Sequence, residues 1–381
     1  MEKSDKGCIL LKQEMDLEFL DTIIEKFEIS GKILKIENYG SGHINTTYRI
    51  TTTEDEYILQ KVNTSVFKNM EQLIENVAGV TAYLASAIEV SGGNPKRETL
   101  QVIHTRAGEN YLKGEDGFGY RMYYFITDAS CYDTVEKPEH FYESAVAFGR
   151  FQALLAAYPA ETLYETIPDF HHTAKRFDTF CRVVEQDPMG RVASAQEEIA
   201  FVMEHAADMP VLTDMLESGE LPLRVTHNDT KLNNIMIDNQ TGKGICILDL
   251  DTVMPGLSVN DFGDSIRFGA NTALEDETDL SKVALDLELY EIYVKGFLEG
   301  CQGILTENEV KMLPMGAKMM TLECGMRFLT DYLEGDTYFK IHRKGHNLDR
   351  ARCQFALVTD MERKWSEMER IVQKYSLVKR I

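Results

Sequence analysis

The chain changes texture once, at Thr127, and that change excludes most of the architectures open to 381 residues. From Lys32 to Ile126 the segments KILKIENY, TTYRITTT, EYILQKVN, LQVIHT and GYRMYYFI are short, rich in β-branched and aromatic residues and bounded by turns, the pattern of strands. One helix interrupts them: Met70, Leu73, Ile74, Val77, Val80 and Leu84 recur three or four apart, with Thr64 or Ser65 as the expected N-cap. Beyond Thr127, FYESAVAFGRFQALLAAY, SAQEEIAFVMEHA and residues 309–333 carry helical spacing. Two strands break it, near Asn234 to Asp238 and Gly244 to Asp251, and the NQTGKG between them suits a hairpin turn. The prediction is an α+β fold: a small antiparallel sheet with one helix in residues 1–127, then a mainly α-helical lobe in residues 128–381.

Charge narrows the partners. Forty Lys and Arg against 62 Asp and Glu give a net charge of −22, a field that repels polyanions, so no nucleic-acid partner is expected. The phosphates of a nucleotide meet the same field, so a nucleotide site here needs a metal ion and a local cation to invert it. The N-terminal MEKSDKGCILLKQEMD lacks the apolar core of a signal peptide, and no stretch holds the roughly 18 uninterrupted apolar residues of a spanning helix. A cytoplasmic protein with no membrane partner is the expectation. Seven scattered cysteines without a CxxC pair read as reduced thiols.

The stretch richest in chemistry is RVTHNDTKLNNIMID, Arg224 to Asp238, where His227, Asp229 and Asn234 have the HxDxxxxN spacing of a kinase catalytic loop. In that geometry the Asp orients an attacking hydroxyl and accepts its proton, and the Asn ligates Mg²⁺. A polar surface loop is the plain alternative. Next comes ICILDLDTVMPG, an apolar strand running into Asp249 and Asp251. Carboxylates at a strand end suit Mg²⁺, so Asp249 is the expected metal ligand, and strand alternation puts Asp251 on the same side, as a group supporting that ligand or holding a second metal. LDLDTV also fits the nucleophile motif of haloacid-dehalogenase-type phosphatases, but that reading leaves HNDTKLNN without a role.

Upstream, YGSGHINTTYRI places Gly40 and Gly42 in a small-residue turn where backbone amides can approach phosphate oxygens; a plain hairpin turn reads equally well, since Asn45 stands where GxGxxG has its last glycine. The following strand should offer the phosphates a cation, and the candidates are Gln60 and Lys61, which alternation sends to opposite faces. Glu71 or Glu75 is the candidate partner of Lys61. His171 and His172, read as lying on a helix, lack metal-ligand spacing and read as structural, while Asp261 in NDFGDSIRFG is expected to hydrogen-bond the backbone of the catalytic loop.

Taken in order, GSGHINTTY, YILQKVN, HNDTKLNN and LDLDTVMPG resemble the aminoglycoside-phosphotransferase superfamily of small-molecule kinases, over most of the chain. The longer stretches YGSGHINTTY, YILQKVNTSVF, LRVTHNDTKLNNI, DFGDSIRFGANTALEDE and ECGMRFLTDYLEGDTYF are similar to the branch of that superfamily that acts on N-acetylhexosamines. The resemblance implies a protein-kinase-like two-lobed fold, ATP and Mg²⁺ as cofactors, and transfer of the γ-phosphoryl group to the anomeric hydroxyl of a small sugar, GlcNAc or GalNAc. It also implies that Arg327 and Tyr338 contact the sugar; by residue type alone they read as a helix arginine in an ion pair and a core tyrosine. An aminoglycoside, choline or another amine is the alternative acceptor, since an acidic protein suits a cation. A catalytically silent binding module is the rival of a different class, and the intact His227, Asp229, Asn234 and Asp249 argue against it.

Overall fold

Alternation along each strand builds the sheet of the first unit. β1 (Ile33–Asn38), β2 (Thr46–Thr52), β3 (Glu56–Val62), β4 (Val102–Ile103), β5 (Leu112–Lys113) and β6 (Gly119–Tyr124) pair antiparallel in the order β1-β2-β3-β6-β4, with β5 also on β6. In the β3–β6 pair Tyr57, Leu59 and Lys61 lie opposite Tyr124, Met122 and Tyr120, so all six share one face. That face carries the core: Ile50, Tyr57, Leu59, Tyr120 and Met122 pack with Leu20, Ile23, Ile24 and Phe27 from helical residues 19–24 and the chain just after them. Burying each such side chain contributes about 1.5–3 kcal/mol. The opposite face carries Gln60 and its direct partner Arg121.

The computed structural model describes residues 19–40, 45–63 and 69–376, and the chain divides into two units between Asp128 and Ala129. α1 (Met70–Val90) starts from Asn69, whose side chain accepts from Gln72 N; the expected caps Thr64 and Ser65 lie outside the described residues. By length and composition α1 is apolar enough to cross a membrane. Its periodicity says otherwise, because the six residues that predict it are all buried while Glu71 and Glu75 are exposed, as in a core helix.

The second unit is mainly helical. Its strands are β7 (Ala129–Ser130), β8 (Arg224–Thr226), β9 (Ile235–Asp238), β10 (Gly244–Ile247) and β11 (Met254–Gly256). β9 and β10 form the hairpin predicted around NQTGKG, closed by Asp238 N donating to Lys243 O at 2.8 Å. β7 pairs with β9, and β8 with β11; at two or three residues these strands are too short for periodicity to reveal. The long helices are α2 (Pro138–Leu154), α3 (Thr173–Gln186), α4 (Ser258–Gly269), α5 (Leu287–Gly300), α6 (Leu313–Glu334), α7 (His346–Arg363) and α8 (Trp365–Ser376). α2 packs on α5 and on the hairpin, and α6 packs on α3, α4 and α7. The α4–α6 crossing depends on two glycines: a Cβ on Gly263 would lie 2.2 Å from Gly316 O, and one on Gly316 would lie 2.2 Å from Val259 O. Antiparallel sheet with one long helix, then a helical second unit, is the α+β architecture expected from the sequence.

Candidate active site

Residues 227–234 connect β8 to β9, turning through a left-handed Asn228 (φ +65°) and a 3₁₀ turn at Leu232–Asn234; Asn is among the few residues that tolerate that conformation. The loop is held by one face of α4, on which Asp261, Asp264 and Ser265 fall at i, i+3 and i+4. Asp261 Oδ2 accepts from His227 N at 2.9 Å and from Gln152 Nε2 at 2.9 Å, and Oδ1 accepts from Asn228 N at 2.8 Å. Asp264 Oδ2 accepts from Thr230 N at 2.9 Å, and Ser265 Oγ donates to Thr230 O at 2.7 Å. Asp261 is the residue anticipated from the sequence. Asp264 and Ser265 are not, although the same helical spacing exposes them. Burial would raise the Asp264 pKa, but Arg267, at 2.9 Å, and Lys231 outweigh it and hold it below the usual carboxylate range.

His227 is buried against the edges of Phe148 and Phe151. Its Nδ1 accepts from Asp229 N at 3.2 Å, so Nε2 carries the proton and donates to Leu248 O at 2.8 Å. Leu248 N donates to Asn234 O at 2.8 Å, Thr252 Oγ1 to His227 O at 2.7 Å, and Asn228 Nδ2 to Thr252 O at 2.8 Å. The stretch carrying Asp249 is thus tied on both sides, at Leu248 and Thr252, to the loop carrying Asp229 and Asn234. Asn234 Nδ2 donates to Asp229 O at 2.8 Å and to Asp229 Oδ2 at 3.2 Å, which leaves its Oδ1 to other ligands. Asp229 Oδ1 lies 2.6 Å from Lys231 Nζ. Burial opposes the Lys231 charge, yet the Asp229 and Asp264 carboxylates hold its pKa above the ordinary lysine range.

Asp251 departs from expectation. β10 ends at Ile247, Asp249 is left-handed (φ +53°) and Leu250–Thr252 form a 3₁₀ turn, so alternation stops before it can carry Asp249 and Asp251 to one side. Asp251 is buried. β10 also belongs to an antiparallel hairpin, not to the parallel sheet that the phosphatase reading of LDLDTV requires.

In the first unit, Gly40 (φ +77°) turns the chain after β1, where a left-handed backbone favours glycine; Gly42 lies outside the described residues. Lys61 lies on the core face, 2.7 Å from Asp116 Oδ2 and 4.0 Å from the centroid of the Phe118 ring. Asp116 therefore stands where Glu71 or Glu75 was expected. Gln60 faces the other way, and its Oε1 accepts from Arg121 Nε at 2.9 Å. The cation on the Gln60 face is thus Arg121, only 2% exposed. No motif points to it, because it emerges only from the β3–β6 register.

His171 and His172 precede α3 instead of lying on it, and His172 is its N-cap. His171 Nδ1 is 2.8 Å from Glu323 Oε1, Thr173 Oγ1 donates to Glu323 Oε2 at 2.6 Å, and His171 Nε2 faces Asn228 O at 3.5 Å. Burial would raise the Glu323 pKa, but His171, Arg327 and Thr173 hold it below the usual carboxylate range. One helical turn beyond Glu323, the Arg327 guanidinium lies 5.1, 5.9 and 5.6 Å from the ring centroids of Phe170, Tyr338 and Phe339. Among the described residues Arg327 makes no hydrogen bond or ion pair, unlike the helix arginine its type suggests. Tyr338 is 67% exposed, not a core residue.

Residues 35–291, two thirds of the chain, match the phosphotransferase enzyme family. The chain belongs to that family. Among solved structures, this phosphotransferase is similar to a microcompartment-associated aminopropanol kinase, with 15% identity and a TM-score of 0.59 over 93% of this chain and 98% of the other. It is similar to an aminoglycoside phosphotransferase from Alicyclobacillus acidocaldarius, with 12% identity and a TM-score of 0.58 over 93% and 96% of the two chains. It is also similar to a choline kinase from Cryptosporidium parvum Iowa II, with 13% identity and a TM-score of 0.55 over 92% and 94%. At such identities the likeness shows the fold, which is kinase-like. The family match identifies the chain as a phosphotransferase enzyme.

Proposed function

We propose that this phosphotransferase moves the γ-phosphoryl group of ATP to the anomeric hydroxyl of an N-acetylhexosamine, GlcNAc or GalNAc, giving the 1-phosphate. The observation that carries this reading is Arg327: a guanidinium set among three aromatic rings, with no hydrogen bond to the described protein. It is linked to the loop through Phe170 and His171, whose Nε2 faces the residue before Asp229. A sugar offers what such a group lacks, oxygen acceptors for the N–H donors and an apolar ring face for the aromatics.

In this reading Asp229 aligns the attacking hydroxyl and accepts its proton as the new bond to phosphorus forms. The ring oxygen makes the anomeric hydroxyl the most acidic on the sugar, so a modest carboxylate base suffices. Lys231 steadies that carboxylate through the 2.6 Å ion pair, and His227 and Asp261 hold the backbone around it. Asn234 Oδ1 and the Asp249 carboxylate are hard oxygen donors that fit Mg²⁺, which when bound neutralises phosphate charge in an otherwise acidic protein.

The test is a panel of acceptors. ADP release is expected with GlcNAc or GalNAc, and phosphorus–carbon NMR coupling is expected to place the new phosphate on carbon one. Turnover confined to aminoglycosides, choline or simple amines overturns the substrate, and phosphate on carbon six overturns the position. For the nucleotide, Lys61→Met is expected to leave the KM for ATP within about twofold, since Lys61 is paired on the core face, whereas Arg121→Gln is expected to raise it roughly tenfold, the worth of one hydrogen bond to a charged group. The reverse ranking in steady-state kinetics returns the phosphate contact to Lys61.

A further inference from the structure

We infer that Arg176 is a second acceptor-binding side chain, and that with Arg327 it makes the site select neutral or anionic sugars over sugars bearing an ammonium group. The inference rests on the reading that Arg327 contacts the acceptor.

Both arginines converge on Phe170. From the first turn of α3, Arg176 donates to Phe170 O through Nε at 3.3 Å and Nη2 at 3.2 Å, while Arg327 on α6 sits 5.1 Å from the centroid of the Phe170 ring. The next residue, His171, faces Asn228 O, one position before Asp229. In a chain with 62 acidic residues, neither guanidinium has an ion-pair partner among the described residues. The nearby carboxylates are already engaged: Glu323 by His171 and Thr173, and Asp169 by Lys175 at 2.6 Å. Burial and the neighbouring Arg327 charge depress the Arg176 pKa and outweigh the Glu323 and Asp169 carboxylates that act on it from beyond ion-pair distance, so the repulsion between the two cations is only partly compensated in the absence of a ligand. Functional sites are where such unfavourable charge placements collect.

Chemistry then sorts the ligands. The planar fork of a guanidinium matches carbonyl and carboxylate oxygens, such as those of an acetamido group or an acidic sugar. An ammonium group offers only donors and adds a third positive charge, and like charges brought together without compensation are rejected.

The test compares GlcNAc with glucosamine, at a pH where the amine is protonated, in wild type, Arg176→Gln and Arg176→Lys. Wild type is expected to favour GlcNAc by about 10²-fold or more in kcat/KM. Arg176→Gln is expected to raise the KM for GlcNAc about tenfold with little change in kcat, and to narrow the preference over glucosamine by a similar factor. Arg176→Lys keeps the charge but not the fork, so it should retain most of the preference while losing affinity. If Arg176→Gln melts well below wild type, the lysine variant decides alone: affinity equal to wild type overturns the inference. An unchanged KM and an unchanged preference in a folded Arg176→Gln overturn it too, while leaving the hexosamine reading intact. A wild type that prefers glucosamine overturns both, and one that uses another uncharged acceptor overturns only the hexosamine reading, with the same ratio then measured against the amino analogue of that acceptor.

Discussion

Asp229→Asn is expected to lower kcat by at least about 10²-fold, the usual worth of general-base help, with little effect on folding. The amide keeps the shape of the carboxylate but cannot take up the proton of an attacking hydroxyl, and it presents an uncharged group to Lys231 at 2.6 Å. The carboxylate is 29% exposed and is not part of the packed core, so the melting temperature should move by only a few degrees, as for most partly exposed substitutions. ADP release under saturating ATP and acceptor measures the effect. A variant that keeps a tenth or more of wild-type turnover shows that Asp229 is not the base.

Asp261→Ala has the opposite profile, a large loss of stability. Three donors, His227 N, Asn228 N and Gln152 Nε2, lose their acceptor at once, in a place where Asp261 and His227 are both buried. An unsatisfied buried donor costs about 1–3 kcal/mol, so the expected loss is roughly 3–5 kcal/mol after some relaxation. At 2–4 °C per kcal/mol for domains of this size, the melting temperature should fall by on the order of 10 °C. Asp261→Asn should lie between alanine and wild type, because one of its two acceptors becomes a donor facing a backbone N–H. Thermal unfolding followed by circular dichroism separates these outcomes. A melting temperature within about 2 °C of wild type for Asp261→Ala would mean that α4 does not hold the loop. The two variants together distinguish chemistry from scaffolding: one loses turnover while staying folded, the other loses both.

Sequence alone was enough wherever the decisive interactions are local. Period-two and period-3.6 patterns mark β1, β2, β3, β6 and α1 because strands and helices repeat over adjacent residues. His227, Asp229 and Asn234 are legible because eight consecutive positions of one loop carry the whole motif, and Asp261 because α4 brings a short, regular stretch to that loop.

Folding decided everything that depends on partners far away in the chain. Alternation states that Gln60 and Lys61 point apart, but which side is the core depends on Leu20, Ile23, Ile24 and Phe27 packing there. Arg121 reaches Gln60 from 61 positions away, and His171 reaches Glu323 from 152. The direction of Asp249 is set by a left-handed residue between two ties to another loop, which ends the alternation that Asp251 was expected to follow. That Arg327 and Arg176 lack ion-pair partners is visible only when every neighbour is in place. A linear pattern records which neighbours a residue has along the chain, whereas charge pairing and sheet facing are settled by neighbours in space, and those exist only once the chain has folded.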